Sequence, residues 1–115
     1  MYQYVATVKH IVDGDTVDML VDLGFNVSTL VRFRLEGINA PEMTGGAREL
    51  GKAARGHLDA LLASAQLGLI RVDSKGRDKY GRWIAQLQYA DGASGNIINV
   101  SDRMIADGFA IASSG

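Results

Sequence analysis

Residues 4–12 and 16–23 are apolar and β-branched, and only Asp13-Gly14-Asp15 separates them. A glycine between two aspartates is turn chemistry, so the two stretches read as an antiparallel hairpin. Gly24-Phe25-Asn26 makes the next turn into a strand over residues 27–36. There Val31, Phe33 and Leu35 alternate with Arg32, Arg34 and Glu36. That period of two belongs to a half-buried strand. A three-stranded meander is therefore expected at the front of the chain.

Gly37 loosens the backbone after the meander. Pro41, the one proline, fixes φ and holds Ala40 extended. After Met43-Thr44-Gly45-Gly46, with Thr44 as a candidate cap, residues 46–66 read as a helix. Leu50, Ala54, Leu58, Leu61, Leu62 and Ala65 form its apolar stripe, and Gly68 ends it. Residues 69–74 and 82–89 read as fourth and fifth strands, joined by a charged tip over residues 75–81. Residues 91–95 make another turn, and residues 99–107 a short helix with Asn99 as cap and Gly108 at its C-terminus. Residues 109–112 add a last short strand. The order β-β-β-α-β-β-α predicts a mainly β, α+β fold. It is a five-stranded OB-fold barrel with a helix between strands three and four and a short C-terminal helix.

With 115 residues, 47% of them hydrophobic, the chain suffices for one small core, and a single domain over residues 1–115 is expected. A formal net charge of −1 excludes the broad cationic surface of a non-specific nucleic-acid coat, so phosphate binding must come from a local cluster. The absence of cysteine excludes a disulfide framework, a thiolate metal site and a cysteine nucleophile. No apolar run is long enough to cross a membrane, and the first ten residues lack a signal-peptide core. The expectation is a soluble protein, cytoplasmic as the sequence stands, with secretion open if an upstream signal was removed. Nothing points to an obligate protein partner.

Three polar clusters stand out. Asp13 and Asp15 suit a hard cation, which takes oxygen ligands, although alone they are better explained as turn residues. Arg34, Asn39 and Glu42 are evenly balanced between a functional set and ordinary surface polarity. Lys79-Tyr80-Gly81-Arg82, preceded by Lys75 and Arg77, is either a solvated charged turn or a phosphate site with Tyr80 beside a sugar or base. Trp83 falls on the opposite side of its strand from Arg82 and reads as core or interface rather than a stacking platform. His10 and His57 lack metal-ligand spacing and read as structural. Taken jointly the clusters gain weight, because phosphodiester cleavage needs a metal-binding acidic pair, a base and two cations facing the developing charge.

Val-Asp-Gly-Asp-Thr-Val (residues 12–17), Arg-Leu-Glu-Gly-Ile-Asn-Ala-Pro-Glu (34–42) and Asp-Lys-Tyr-Gly-Arg (78–82) resemble the three signature motifs of the staphylococcal nuclease family. They come in that family's order and spacing, and the resemblance runs over about residues 9–112. It implies an OB-fold, calcium-dependent phosphodiesterase that cuts DNA and RNA and leaves 3′-phosphate ends. By the same resemblance Asp15 is a direct Ca²⁺ ligand with Asp13 close by, and Asn39 and the Ala40 carbonyl are the other ligand positions. Glu42 falls on the general base, Arg34 and Arg82 on the pair gripping the scissile phosphate, and Lys79 and Tyr80 on the neighbouring phosphate pocket. Position 39 is usually aspartate in the family, so one negative charge is missing here, and charge count tunes calcium affinity. The family type also continues past Ser113 with tyrosines over the nucleotide and a further helix, so a more open site with weaker base stacking is expected. The expected substrate is single-stranded or locally opened DNA and RNA. The competing reading is a catalytically weak or inactive OB-fold module that binds nucleic acid or protein.

Overall fold

In the computed structural model, which describes residues 2–42 and 48–113, β1 (Tyr2–Asp13) and β2 (Thr16–Asp22) pair antiparallel. Asp13 stands opposite Thr16, so Gly14 and Asp15 alone make the turn. β3 (Ser28–Leu35) continues the meander, with Arg34 opposite Thr16 and Ser28 opposite Asp22. The alternation in the sequence sets the faces: Val17, Met19, Val21, Phe33 and Leu35 point into the core. Phe25 and Asn26 adopt left-handed φ values of 55° and 62°, a conformation uncommon for residues with a Cβ. Ile38–Asn39 forms a two-residue strand, β4.

α1 (Arg48–Ala63) lays Ala54, Leu58 and Leu62 on the barrel. It is followed by a 3-10 turn, β5 (Ile70–Arg77), β6 (Trp83–Ala90), β7 (Ile97–Asn99), α2 (Val100–Ala106) and β8 (Ile111–Ala112). β1 pairs with β5 and β5 with β6, both antiparallel. β6 then closes the ring by pairing parallel with β3, Phe33 opposite Trp83 and Leu35 opposite Ala85. The result is a five-stranded mixed barrel with two helices, in the OB-fold arrangement. The far half of the same β6 edge is taken by β7, and β4 pairs with β8 beside the barrel.

Several local expectations need correction. The helix expected to run to residue 66 ends at Ala63, where the chain turns and Ala65 is already extended. Ala65 stays buried by bridging to Asp91 rather than by helical packing. Leu50 is 65% exposed and does not join the core, unlike Ala54, Leu58 and Leu62. Gly46 and Thr44 lie outside the described residues. The fourth strand continues to Arg77 through an irregularity after Ser74, so the first three residues of the expected charged tip are strand. Lys75 and Arg77 face solvent there, and β structure tolerates charge on an open face. Trp83 has the parity of the buried Ala85 and Leu87 but sits at the strand's first position, beyond the core, and is 38% exposed. Asn99 caps α2 as expected, its side chain accepting from the Asp102 amide at 3.0 Å.

Candidate functional site

The acidic turn between β1 and β2 is pressed into the protein rather than held out in solvent. A Cβ on Gly14 would lie 2.7 Å from the Cβ of Ala40 and 2.7 Å from that of Ala54. Glycine is required here by close approach, since Gly14 is not among the residues with positive φ. That contact brings the turn against the segment after β4 on one side and α1 on the other. Asp15 is consequently buried. Its Oδ2 accepts from the Ala40 amide at 2.8 Å, and Thr16 Oγ1 donates to its Oδ1 at 3.1 Å. Asp13 Oδ1 accepts from the Asp15 amide at 3.1 Å. Burial, reinforced by the neighbouring Asp15 side chain, raises the pKa of Asp13 to about 6.

Arg34 is held over this turn by β3. Its Nη1 lies 3.2 Å from Asp15 Oδ2 and donates to the Leu35 carbonyl, and its Nη2 donates to Asn39 Oδ1. Asp13, Asp15, Arg34, Asn39 and Ala40, drawn from three separate segments, thus form one constellation.

Arg34 also lines a cavity of about 440 Å³ together with Glu36, Lys79, Tyr80, Arg82 and Ile84. The parallel pairing of β3 with β6 puts Arg34 opposite Ile84 and so brings the two arginines to one opening. Arg82 is oriented by Asp78, whose Oδ2 accepts from Arg82 Nε at 2.7 Å. The other oxygen of Asp78 accepts from the amides of Tyr80 and Arg82, both at 2.9 Å. Desolvation pushes the Asp78 pKa upward, but the bonds from Arg82 and Tyr80 outweigh it and hold the carboxyl below its ordinary value. Tyr80 is 71% exposed, with Lys79 and Arg82 near its ring.

Glu42 is exposed and is not among the residues lining this cavity. Among the described residues its carboxylate has no hydrogen-bond or ion-pair partner. No three histidine or acidic side chains converge among the described residues. The available donors are all oxygen: the carboxylates of Asp13 and Asp15, the amide of Asn39 and the main chain at Ala40. Such a set suits a hard divalent cation once Arg34 releases Asn39.

Sequence reasoning missed two supports. Asp78 carried a signal, since an aspartate three residues before a glycine, as in Asp-Lys-Tyr-Gly, is the pattern of a turn bonded through the aspartate's own side chain. Glu36 carried none. Its carboxylate accepts from Gln86 Nε2 at 3.1 Å, and its carbonyl accepts from Ser101 Oγ at 2.9 Å, a link of 65 positions along the chain. His57 is structural: it stacks on Phe109 and shares a hydrogen bond with Asp107 at 2.7 Å.

Residues 32–114 match the family described as staphylococcal nuclease homologue. Over 107 residues, 90% of this chain, the sequence is 34% identical to the micrococcal nuclease of Shigella flexneri, and it covers 55% of that protein. The chain therefore spans about half the length of this relative. With the barrel and the motif-bearing turns all present, the chain belongs to the staphylococcal nuclease family.

Proposed function

We propose that this protein is a calcium-dependent endonuclease that hydrolyses DNA and RNA to leave 3′-phosphate ends. Arg34 carries this reading, because one guanidinium touches Asp15 and Asn39 while lining the cavity shared with Arg82, Lys79 and Tyr80. Asp15, Asn39 and the Ala40 carbonyl, with Asp13 beside them, would hold Ca²⁺. When bound, the ion supplies charge neutralisation next to the scissile phosphate.

The remaining steps fall to the chain's own groups. Glu42 takes a proton from a water molecule, and the water oxygen attacks phosphorus in line with the 5′-oxygen. As the P–O5′ bond breaks, Arg34 and Arg82 neutralise charge gathering on the non-bridging oxygens. The departing 5′-oxygen is protonated from solvent, and the phosphate stays on the 3′ side. Lys79 and Tyr80 position the adjoining nucleotide. A cavity with so few cations favours single-stranded or locally opened DNA and RNA over a long duplex.

The test is digestion of single-stranded DNA by the purified protein, with calcium and with excess chelator. Cleavage restricted to the calcium reaction is expected. Undiminished cleavage in chelator would reject the metal requirement, and none in either would reject catalysis. One observation favours a second reading, an OB-fold module that binds strands without cutting. Asn39 Oδ1 is engaged by Arg34, so a ligand oxygen is occupied from within. That module would retain single strands while yielding no product.

A further inference from the structure

The hairpin joining β5 to β6 carries more than the cavity uses. Trp83 is 38% exposed, and the Arg77 guanidinium lies over its ring, 4.5 Å from the centroid. Tyr80, 71% exposed, has Lys79 at 5.3 Å and Arg82 at 5.4 Å from its centroid. All three cation–π contacts among the described residues thus fall within residues 77–83. Such contacts occur roughly once per 70–80 residues in proteins at large. Neither Arg77 nor Lys79 pairs with a carboxylate among the described residues. Charges left without counterions beside exposed rings match what single-stranded nucleic acid requires, anionic links alternating with flat bases.

Tyr80 lines the phosphate cavity, whereas Trp83 does not. Ile84, the next residue along β6, lines the cavity from the strand's other face. A base on Trp83 therefore belongs to a different nucleotide from the one in the cavity. The pairing of Arg77 with Trp83 across the two strands keeps cation and ring together.

We propose that Trp83 and Arg77 form a second nucleotide subsite, where Arg77 leaves the ring face to meet a phosphate and a base of single-stranded DNA or RNA stacks on the indole in its place. The subsite deepens the nuclease reading by extending its strand contact, but it does not depend on catalysis.

Trp83 is the one tryptophan of the chain, so fluorescence excited at the red edge of the absorption, beyond the tyrosine band, reports on it alone. In chelator, where the nuclease reading expects no cleavage, hexathymidylate is expected to quench that fluorescence. Thymidine monophosphate and an abasic hexamer of the same charge are expected not to. Trp83→Ala should weaken labelled hexathymidylate about tenfold by fluorescence anisotropy, within the range of base–aromatic stacking. Trp83→Phe should recover most of that loss, and Arg77→Gln should weaken binding while leaving the base-dependent quench. Equal quenching by the abasic hexamer, no quenching at all, or unchanged affinity in a folded Trp83→Ala overturns the proposal. If Trp83→Ala fails to fold, the comparison of normal and abasic hexamers on the unaltered protein decides alone. Quenching without cleavage would remove the nuclease reading and keep the subsite. Cleavage without quenching would remove only the subsite.

Discussion

Asn39 is the residue on which the site's chemistry turns, because its side-chain oxygen serves Arg34 while occupying a candidate cation-ligand position. Asn39→Asp adds a carboxylate, and Ca²⁺ affinity rises with ligand charge. It also strengthens the hold on Arg34, which opposes ligation. The first effect is expected to dominate, since Arg34 already has Asp15 as a partner. Calcium titration calorimetry should therefore give tighter binding in the variant, and equal affinities would remove Asn39 from the ligand set. Glu42 and Arg82 are tested by rate. Glu42→Gln and Arg82→Ala should each lose about 10²–10⁴ in kcat with unfolding midpoints unchanged, as for a lost base or an unmatched transition-state charge. Near-normal turnover in either would withdraw that residue's role.

Gly14 governs the next scale, where three elements meet. The acidic turn, the segment at Ala40 and α1 at Ala54 leave no space for a methyl group. Gly14→Ala should destabilise the fold by about 1–3 kcal/mol, the usual cost of overpacking. It should also weaken calcium binding, because the turn must back away from Ala40. Denaturant unfolding and calcium titration of the one variant check both effects, and loss of stability without loss of binding would show that calcium binding does not depend on the packing of the turn against Ala40. The sequence announced the elements well where period and turn chemistry agree. Val31, Phe33 and Leu35 marked β3, Asp13-Gly14-Asp15 marked the first hairpin, and Asn99 marked the start of α2. It was silent where distant contacts decide. Nothing local indicates that Leu50 stays exposed, that β5 runs on through Lys75 to Arg77, or that Trp83 emerges beyond the core. The candidate site residues were visible as motifs, but the particular contacts that join them were not. The link from Asp15 to Ala40 spans 25 positions, and only the closed barrel brings the two together.

For the molecule as a whole, a net charge of −1 leaves no broad cationic surface, and the proposed strand site draws on one hairpin and one arginine of β3. Counterion release scales with the phosphates neutralised, at about 0.7 per contact for single strands. Arg34, Arg77, Lys79 and Arg82 should therefore give a shallow slope of log affinity against log salt, about −2 to −3. Strand binding measured across a salt series checks this, and a slope several times steeper would require a cationic surface elsewhere. The parallel register of β3 and β6 carries a further consequence. Arg34 and Arg82 reach one cavity because this pair of strands is zipped, and the Glu36 amide donates to the Ala85 carbonyl across it at 2.9 Å. A phosphate gripped by both arginines binds only the zipped barrel, so mass action protects the join. Amide exchange at Leu35 and Glu36 should slow when a mononucleotide is added, while exchange in the distant β2–β3 turn stays unchanged. A phosphate so bound would, in that sense, be a removable rivet in the barrel wall.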